Sequence, residues 1–228
     1  MSLRIFEAKP KTHKQYILKV LSVNTGSPQK FTWEGKEIYT SIFKSPVKSI
    51  SKVSFLNVEG DEQSDLRVHG GVDKAVYSYD HSYYEAWKKE IKRDSWEFGL
   101  FGENLTTSGL TDDSVLIGNV YQIGSVKLRA VQPRFPCFKL NIRFGEDDIL
   151  NRFYDLGLFG TYFRVEEEGY LNSGDEIILT HKSDVNLSIS DIVHCKKSKG
   201  EDQNKLKLIL ENEFIPGSLK DSLRLYLK

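Results

Sequence analysis

The residue in this chain best suited to chemistry is Cys137, in the segment Gln-Pro-Arg-Phe-Pro-Cys-Phe-Lys-Leu. Pro133 and Pro136 fix the backbone angle φ and restrict the residues before them, so this stretch is stiff and cannot be a helix interior. In an extended chain Cys137 and Lys139 would share one face, with Arg134 close in sequence. Nearby cations favour the thiolate, which is a nucleophile and a soft metal ligand. The segment therefore predicts a site for a metal beside an anionic group, although a small buried hydrophobe is an equally good interpretation of a lone cysteine.

A second group of chemical residues is His69-Gly70-Gly71, followed by Lys74. Paired glycines permit unusual backbone angles, and their amides can form a nest that binds an anion. His69 and Lys74 add donors on both sides. A plain glycine turn between two strands explains the same pattern.

Two polar segments complete the candidates, each an ordinary loop or strand edge when taken alone. Lys44 lies in Thr-Ser-Ile-Phe-Lys-Ser-Pro-Val, around a predicted strand end, and Asn104 lies in Phe-Gly-Glu-Asn-Leu-Thr, a predicted loop. Between them, the acidic stretch 60–65 fits solvated surface better than the wall of a pocket.

Composition restricts the class of protein. The chain has 228 residues, enough for one large domain or one domain with a small appendage. Lys+Arg and Asp+Glu both number 32. The chain therefore lacks the excess of basic residues that is typical of proteins that bind nucleic acid polymers. No apolar run approaches the ~20 residues that cross a bilayer, and the N-terminal segment lacks a secretory apolar region. We therefore expect a cytoplasmic protein with no membrane contact and no resting disulfide between Cys137 and Cys195.

The elements that must position these residues are mostly short strands, which favours a β-barrel or sandwich over a parallel α/β sheet. Strands are predicted over 16–24, 30–33, 36–43, 47–56, 75–79, 120–123, 126–131, 161–167 and 176–180. Helices are predicted over 81–92 and 147–156, and as three short polar pieces over 190–196, 202–211 and 218–227. Cys195 falls in the first of these pieces. The change in character after His181 predicts a barrel domain over 1–183 and a helical domain over 184–228.

In their order along the chain, these segments resemble the MOSC family, the molybdenum cofactor sulfurase C-terminal-type domain, and within it the YiiM-like branch. The resemblance implies a mainly β fold: a MOSC-type β-barrel with a few peripheral helices and a small C-terminal three-helix appendage. It also implies a molybdenum cofactor (molybdopterin), with Cys137 as the catalytic residue and metal ligand. The implied cofactor-binding residues are Lys44, His69, Gly70, Gly71, Lys74, Asn104, Arg134 and Lys139.

The resemblance implies an oxidoreductase that reduces N-hydroxylated compounds such as hydroxylamino-purines and so detoxifies N-hydroxylated bases. Because the sequence has no nicotinamide-binding or iron–sulfur motif, its electrons would come from a partner reductase. Two alternatives stay open: a sulfur carrier with a persulfide on Cys137, and a cysteine hydrolase that uses Cys137 and His69. The sequence leaves open whether the protein forms a homodimer.

Overall fold

The computed structural model describes residues 17–62 and 70–228. In these residues the strands are β1 Lys19–Thr25, β2 Gln29–Trp33, β3 Lys36–Thr40, β4 Ser45–Pro46, β5 Ser51–Val53, β6 Val76–Asp80, β7 Leu105–Ser108, β8 Val120–Ile123, β9 Val126–Pro133, β10 Thr161–Glu167, β11 Gly169–Leu171 and β12 Ile177–His181. The α-helices are α1 His81–Glu90, α2 Lys139–Phe144, α3 Ile149–Leu156, α4 Ile189–Lys197, α5 Gln203–Glu211 and α6 Gly217–Arg224. A 3₁₀ turn, Val72–Lys74, precedes β6.

Eight strands form one sheet, in the order β12-β8-β9-β10-β6-β7-β1-β4. The backbone closes this sheet: Ile177 N donates to Leu18 O at 2.8 Å, and Val20 N donates to Asp175 O at 3.0 Å. These bonds join β1 to the start of β12, at the other end of the sheet order. The predicted mainly β barrel is therefore confirmed, as are the three C-terminal helices. Within the described residues, no helix is long and apolar enough to cross a membrane.

The parallel pair β6 and β7 is the exception in a sheet whose other pairs are antiparallel. Parallel neighbours need a crossover connection, and α1 begins that connection. Asp80 begins α1 as its N-cap, as predicted, by accepting from Ser82 N at 2.9 Å.

Three strand predictions were wrong. Residues 105–108, predicted as part of a loop, form β7, whose Leu105, Thr106 and Thr107 are fully buried. The strand predicted over 47–56 is a strand only at β5. Its partner, β11, was not predicted at all. Short strands with many polar residues show little alternation of apolar and polar side chains, so whether they form depends mainly on the strands they pair with.

The extended conformation predicted through Lys139 was also wrong, because α2 begins at that residue. Leu140 N donates to Cys137 O at 3.0 Å, so the chain turns directly after the cysteine. The two prolines exclude a helix only up to Cys137. Cys137 thus lies in a short link between the end of β9 and the start of α2.

The C-terminal helices share a hydrophobic core with the barrel. Leu187, Ile192, Leu206 and Leu223 belong to the same buried cluster as the barrel strands, and α4 packs against β9. Cys195, predicted in a polar helix, is only 4% exposed within this cluster. The helices therefore stabilise the barrel as well as each other.

The division at residues 183 and 184 stays a prediction, which limited proteolysis can test. We expect the first cuts between Lys182 and Asn186 or near Lys199-Gly200, where Lys182, Asp184, Asn186 and Lys199 are exposed between elements. Mass spectrometry of early fragments would show these sites. First cuts within 116–131 would contradict the boundary.

Candidate functional site

Most of the predicted site residues meet in one cleft of about 560 Å³, a volume that includes solvent at its mouth. The cleft lies where β3, β9 and β10 approach the turn before β6. The predicted residues that line it are Lys44, Lys74, Asn104, Arg134, Cys137 and Lys139. Four cations and a thiol from three distant segments of the chain are therefore neighbours in the barrel.

Of the other predicted residues, Gly70 and Gly71 do not line this cleft, and His69 lies outside the described residues, as do positions 63–65 of the predicted acidic loop. Gly71 has φ of 93°, a left-handed angle that favours glycine. Its carbonyl accepts from Lys74 N at 3.0 Å. The glycine therefore helps to form the turn that brings Lys74 to the cleft.

Cys137 is half-buried in the wall of the cleft. The segment that carries it is held upstream, where Arg134 N donates to Gly160 O at 3.1 Å, and downstream by the first turn of α2. A thiol held at both ends in this way keeps one position, which suits a metal ligand or a nucleophile.

Arg134 is the most deeply placed cation of the cleft, with 6% of its surface exposed. Its guanidinium lies 5.3 Å from the ring centre of Tyr77 and 5.8 Å from that of Phe153. Its Nη1 is buried and has no hydrogen-bond partner among the described residues. Because an arginine stays charged and a buried charge is costly without a partner, this geometry suits an anion in the cleft.

Asp61, which the sequence favoured as surface, is a buried residue that organises the cleft wall. Its carboxylate accepts from Lys44 Nζ at 2.5 Å, from Asn104 Nδ2 at 2.8 Å and from Gly26 N at 3.0 Å. Burial lowers the pKa of Lys44, and the ion pair with Asp61 opposes this shift. The only sequence signal for this role was the place of Asp61 in the ordered set of motifs.

Replacement of Asp61 by Asn is expected to destabilise the fold by roughly 3–5 kcal/mol, because it leaves Lys44 buried without its counter-charge. The free energy of unfolding from urea titration measures this. The double variant Lys44→Met/Asp61→Asn should be more stable than Asp61→Asn alone.

A control for this effect is Glu167→Gln, which breaks the exposed pair of Lys127 and Glu167 at 2.7 Å. It should change stability little. Equal losses from Asp61→Asn and Glu167→Gln would show that the buried pair has no special role.

Asn104 lines the cleft, but its amide is bound to protein. Its Oδ1 accepts from Tyr77 N at 3.1 Å, and its Nδ2 donates to Asp61. The preceding Glu103 is fully buried and accepts from Gly99 N at 2.9 Å. These contacts favour a positioning role for Asn104 over the predicted direct contact with a cofactor.

Asp112 holds the turn that receives the Arg134 segment. Its carboxylate accepts from Phe159 N at 2.7 Å and from Gly160 N at 2.9 Å. Burial raises the pKa of Asp112 to about 6, although these two hydrogen bonds act in the other direction. The ordinary value is 3.8, so the folded protein keeps this proton over a pH range where the unfolded chain has lost it.

Asp112 therefore favours folding most below about pH 4, and its contribution is lost as the pH rises to about 6. Relative to Asp112→Asn, the wild-type free energy of unfolding should fall by roughly 2–3 kcal/mol from pH 4 to pH 7. Urea titrations of both proteins at the two pH values give this difference. A difference that stays constant, or that grows with pH, would refute the assignment.

The donor set of the cleft limits which metal groups it could hold. Among residues 17–62 and 70–228, no group of three or more His, Cys, Asp or Glu side chains could hold a metal ion. A metal at Cys137 would therefore have to bring most of its own ligands. A metal chelated by an organic cofactor, with an anionic group for the cations, meets this condition.

Together, the barrel and the cleft define a β-barrel protein with a single thiol in a cation-lined site. The MOSC domain model matches residues 65–178, half of the chain, and the range includes Lys74, Arg134 and Cys137. The chain belongs to the MOSC family.

Individual relatives agree with this assignment. The chain is 40% identical over 176 residues to the uncharacterized protein YflK of Bacillus subtilis, across 77% of this chain and 79% of YflK. It is 34% identical over 170 residues to protein YiiM of Escherichia coli, across 73% and 75% of the two chains. The crystal structure of YiiM from Geobacillus stearothermophilus matches with a TM-score of 0.78 and 28% identity, over 92% of this chain and all of that one.

A further relative is named a reductase. This protein of Gibberella moniliformis is 33% identical over 190 residues, across 82% of this chain but 34% of its own length. The matched region is therefore one part of a longer protein.

Proposed function

We propose that this protein is a molybdenum-cofactor-binding oxidoreductase that reduces N-hydroxylated compounds, such as hydroxylamino-purines, with electrons from a partner reductase. The observation that carries the proposal is the meeting of Lys44, Lys74, Arg134 and Lys139 around Cys137 in one cleft. Membership of the MOSC family and the reductase-named relative support this class of chemistry.

The residues present fit such a cofactor. Arg134 has a buried donor atom with no partner among the described residues, as expected where a phosphate group binds. Lys44, Lys74 and Lys139 also line the cleft, where the four cations outnumber the carboxylates of Asp61 and Glu62, and Cys137 offers one soft ligand to the metal. When bound, the cofactor would supply the electron pair that breaks the N–O bond.

The overall reaction balances with two electrons and two protons: R–NHOH becomes R–NH2 and water. The protein residues bind and orient the reactants, and the open mouth of the cleft admits the substrate and protons from solvent. Asp61 keeps Lys44 and Asn104 in place while this occurs. The proposal places the enzyme in the cytoplasm, where it would detoxify N-hydroxylated bases, and leaves a homodimer open.

Elemental analysis of protein purified without oxygen, from a host that makes the cofactor, tests the proposal. We expect molybdenum near one atom per chain, and reduction of a hydroxylamino-purine when a chemical reductant replaces the partner. Protein that carries no molybdenum under these conditions and reduces no N–O bond would contradict the proposal.

The second candidate function is a sulfur carrier that holds a persulfide on Cys137. The half-buried position of this thiol among cations favours it, because a persulfide anion is stabilised by the same charges. Labile sulfane sulfur in purified protein that lacks metal would support the carrier over the oxidoreductase.

A further inference from the structure

We propose that a second cavity, beside the cleft, binds the flat ring of the substrate and selects an uncharged heteroaromatic base over its phosphorylated forms. This cavity lies between the β2–β3 hairpin and α2, and its volume is about 800 Å³ with solvent at its mouth. We call it the hairpin cavity. The residues that define it are Trp33, Glu34, Lys36, Ile38, Phe138, Asn141 and Asp147.

The hairpin cavity adjoins the cleft along two chain segments. On β3, Ile38 lines the cavity and Thr40 lines the cleft. In the other segment, Phe138 lines the cavity while its neighbours Cys137 and Lys139 line the cleft. A substrate with its N–O group at Cys137 could therefore extend its ring into the hairpin cavity.

Two aromatic side chains of the cavity have no ring partner among the described residues. On β2, Phe31 and Trp33 lie on one face of the hairpin, and Phe31 stacks on Phe43 with ring centres 4.4 Å apart. Trp33 and Phe138, which is 43% exposed, have no such contact in the described part of the chain. Aromatic surfaces that line a cavity without ring partners suit stacking on a flat ligand.

The charged groups of the cavity further restrict the class of ligand that it suits. Glu34 and Asp147 supply two carboxylates against one cation, Lys36, so the cavity is negative on balance. Carboxylates accept hydrogen bonds from ring amino groups, and they repel phosphate. The cavity therefore suits a free amino-substituted base and disfavours a nucleotide.

This inference deepens the proposed function and rests on it for the reaction, but its binding step can be measured without metal or turnover. The probe is adenine, the amino product of reduction, titrated into the purified protein while tryptophan fluorescence is recorded. Trp33 is the reporter in the cavity, Trp87 is fully buried, and Trp96 is partly buried in a core cluster away from the cavity lining. We expect saturable quenching by adenine, and binding of adenosine monophosphate at least about tenfold weaker.

The test variant is Phe138→Ala, which should weaken adenine binding about tenfold. With a hydroxylamino-purine it should raise KM by a similar factor, and the change in KM should be larger than any change in kcat. Its KM for hydroxylamine, which has no ring, should not change. The matched control is Tyr39→Ala, because Tyr39 is an aromatic residue of the same hairpin that is 56% exposed and does not line the cavity.

The inference is overturned if adenine gives no saturable quenching, if the monophosphate binds as tightly as adenine, or if Tyr39→Ala weakens binding as much as Phe138→Ala. These results would leave the proposed function standing, because they do not concern molybdenum content or N–O reduction. Conversely, protein that binds adenine as expected but holds no molybdenum and reduces no N–O bond would support the cavity as a base-binding site and refute the reaction.

Discussion

Cys137→Ser is expected to lower N–O reduction by about a hundredfold or more while the barrel stays folded. A hydroxyl is a much poorer ligand than a thiolate for a soft metal centre, and Cys137, unlike Cys195, lines the cleft. The half-buried position of the side chain means that a smaller oxygen atom costs little packing. Turnover and molybdenum content measure the first effect, and thermal unfolding measures the second.

The control for this variant is Cys195→Ser. Cys195 is buried in the core shared by the helices and the barrel, so a hydroxyl there should cost about 1–3 kcal/mol of stability but leave turnover per folded molecule unchanged. Wild-type turnover with bound metal in Cys137→Ser, or equal losses of turnover in both variants, would contradict the assignment of Cys137.

Arg134→Met is expected to reduce the cofactor content of purified protein at least about tenfold, with unchanged or higher stability of the cofactor-free form. Methionine keeps much of the packing against Tyr77 and Phe153, and it removes a buried charge whose Nη1 has no partner among the described residues. In the cofactor-free form that charge costs free energy, so its removal should not harm the fold.

A suitable control is Arg129→Met on the same strand, β9. Arg129 also lies over an aromatic ring, at 4.6 Å from the centre of Phe214, but it does not line the cleft. It should leave cofactor content unchanged. Arg134→Met protein that keeps full cofactor content but unfolds more easily would assign Arg134 a purely structural role.

The sequence predicted the barrel and the thiol site because both depend on local patterns. Short apolar strands ended by glycine turns favour a barrel, and the β2–β3 hairpin at Glu34-Gly35 formed as predicted. Cys137, Arg134 and Lys139 are close in sequence, so their proximity could be predicted without knowledge of the fold. Lys44 and Lys74 reach the same cleft from distant segments, and only the ordered motifs of the family indicated this.

The residues that the sequence missed depend on partners far along the chain. Asp61 is buried because Lys44, Asn104 and Gly26 surround it, and none of these contacts is visible in an acidic loop. The strand β7 is defined by its neighbours β1 and β6 more than by its own residues. Trp33 and Phe138 meet one cavity only because the hairpin lies beside α2.

Because the cleft takes its residues from widely separated parts of the chain, it has no counterpart in any single fragment of the unfolded protein. A ligand that needs all of these residues can bind only after β6, β9 and β10 have paired and the segments of Lys44 and Lys74 have docked beside them. Loading of the proposed cofactor would then follow folding, and each bound molecule would shift the equilibrium toward the native state by mass action.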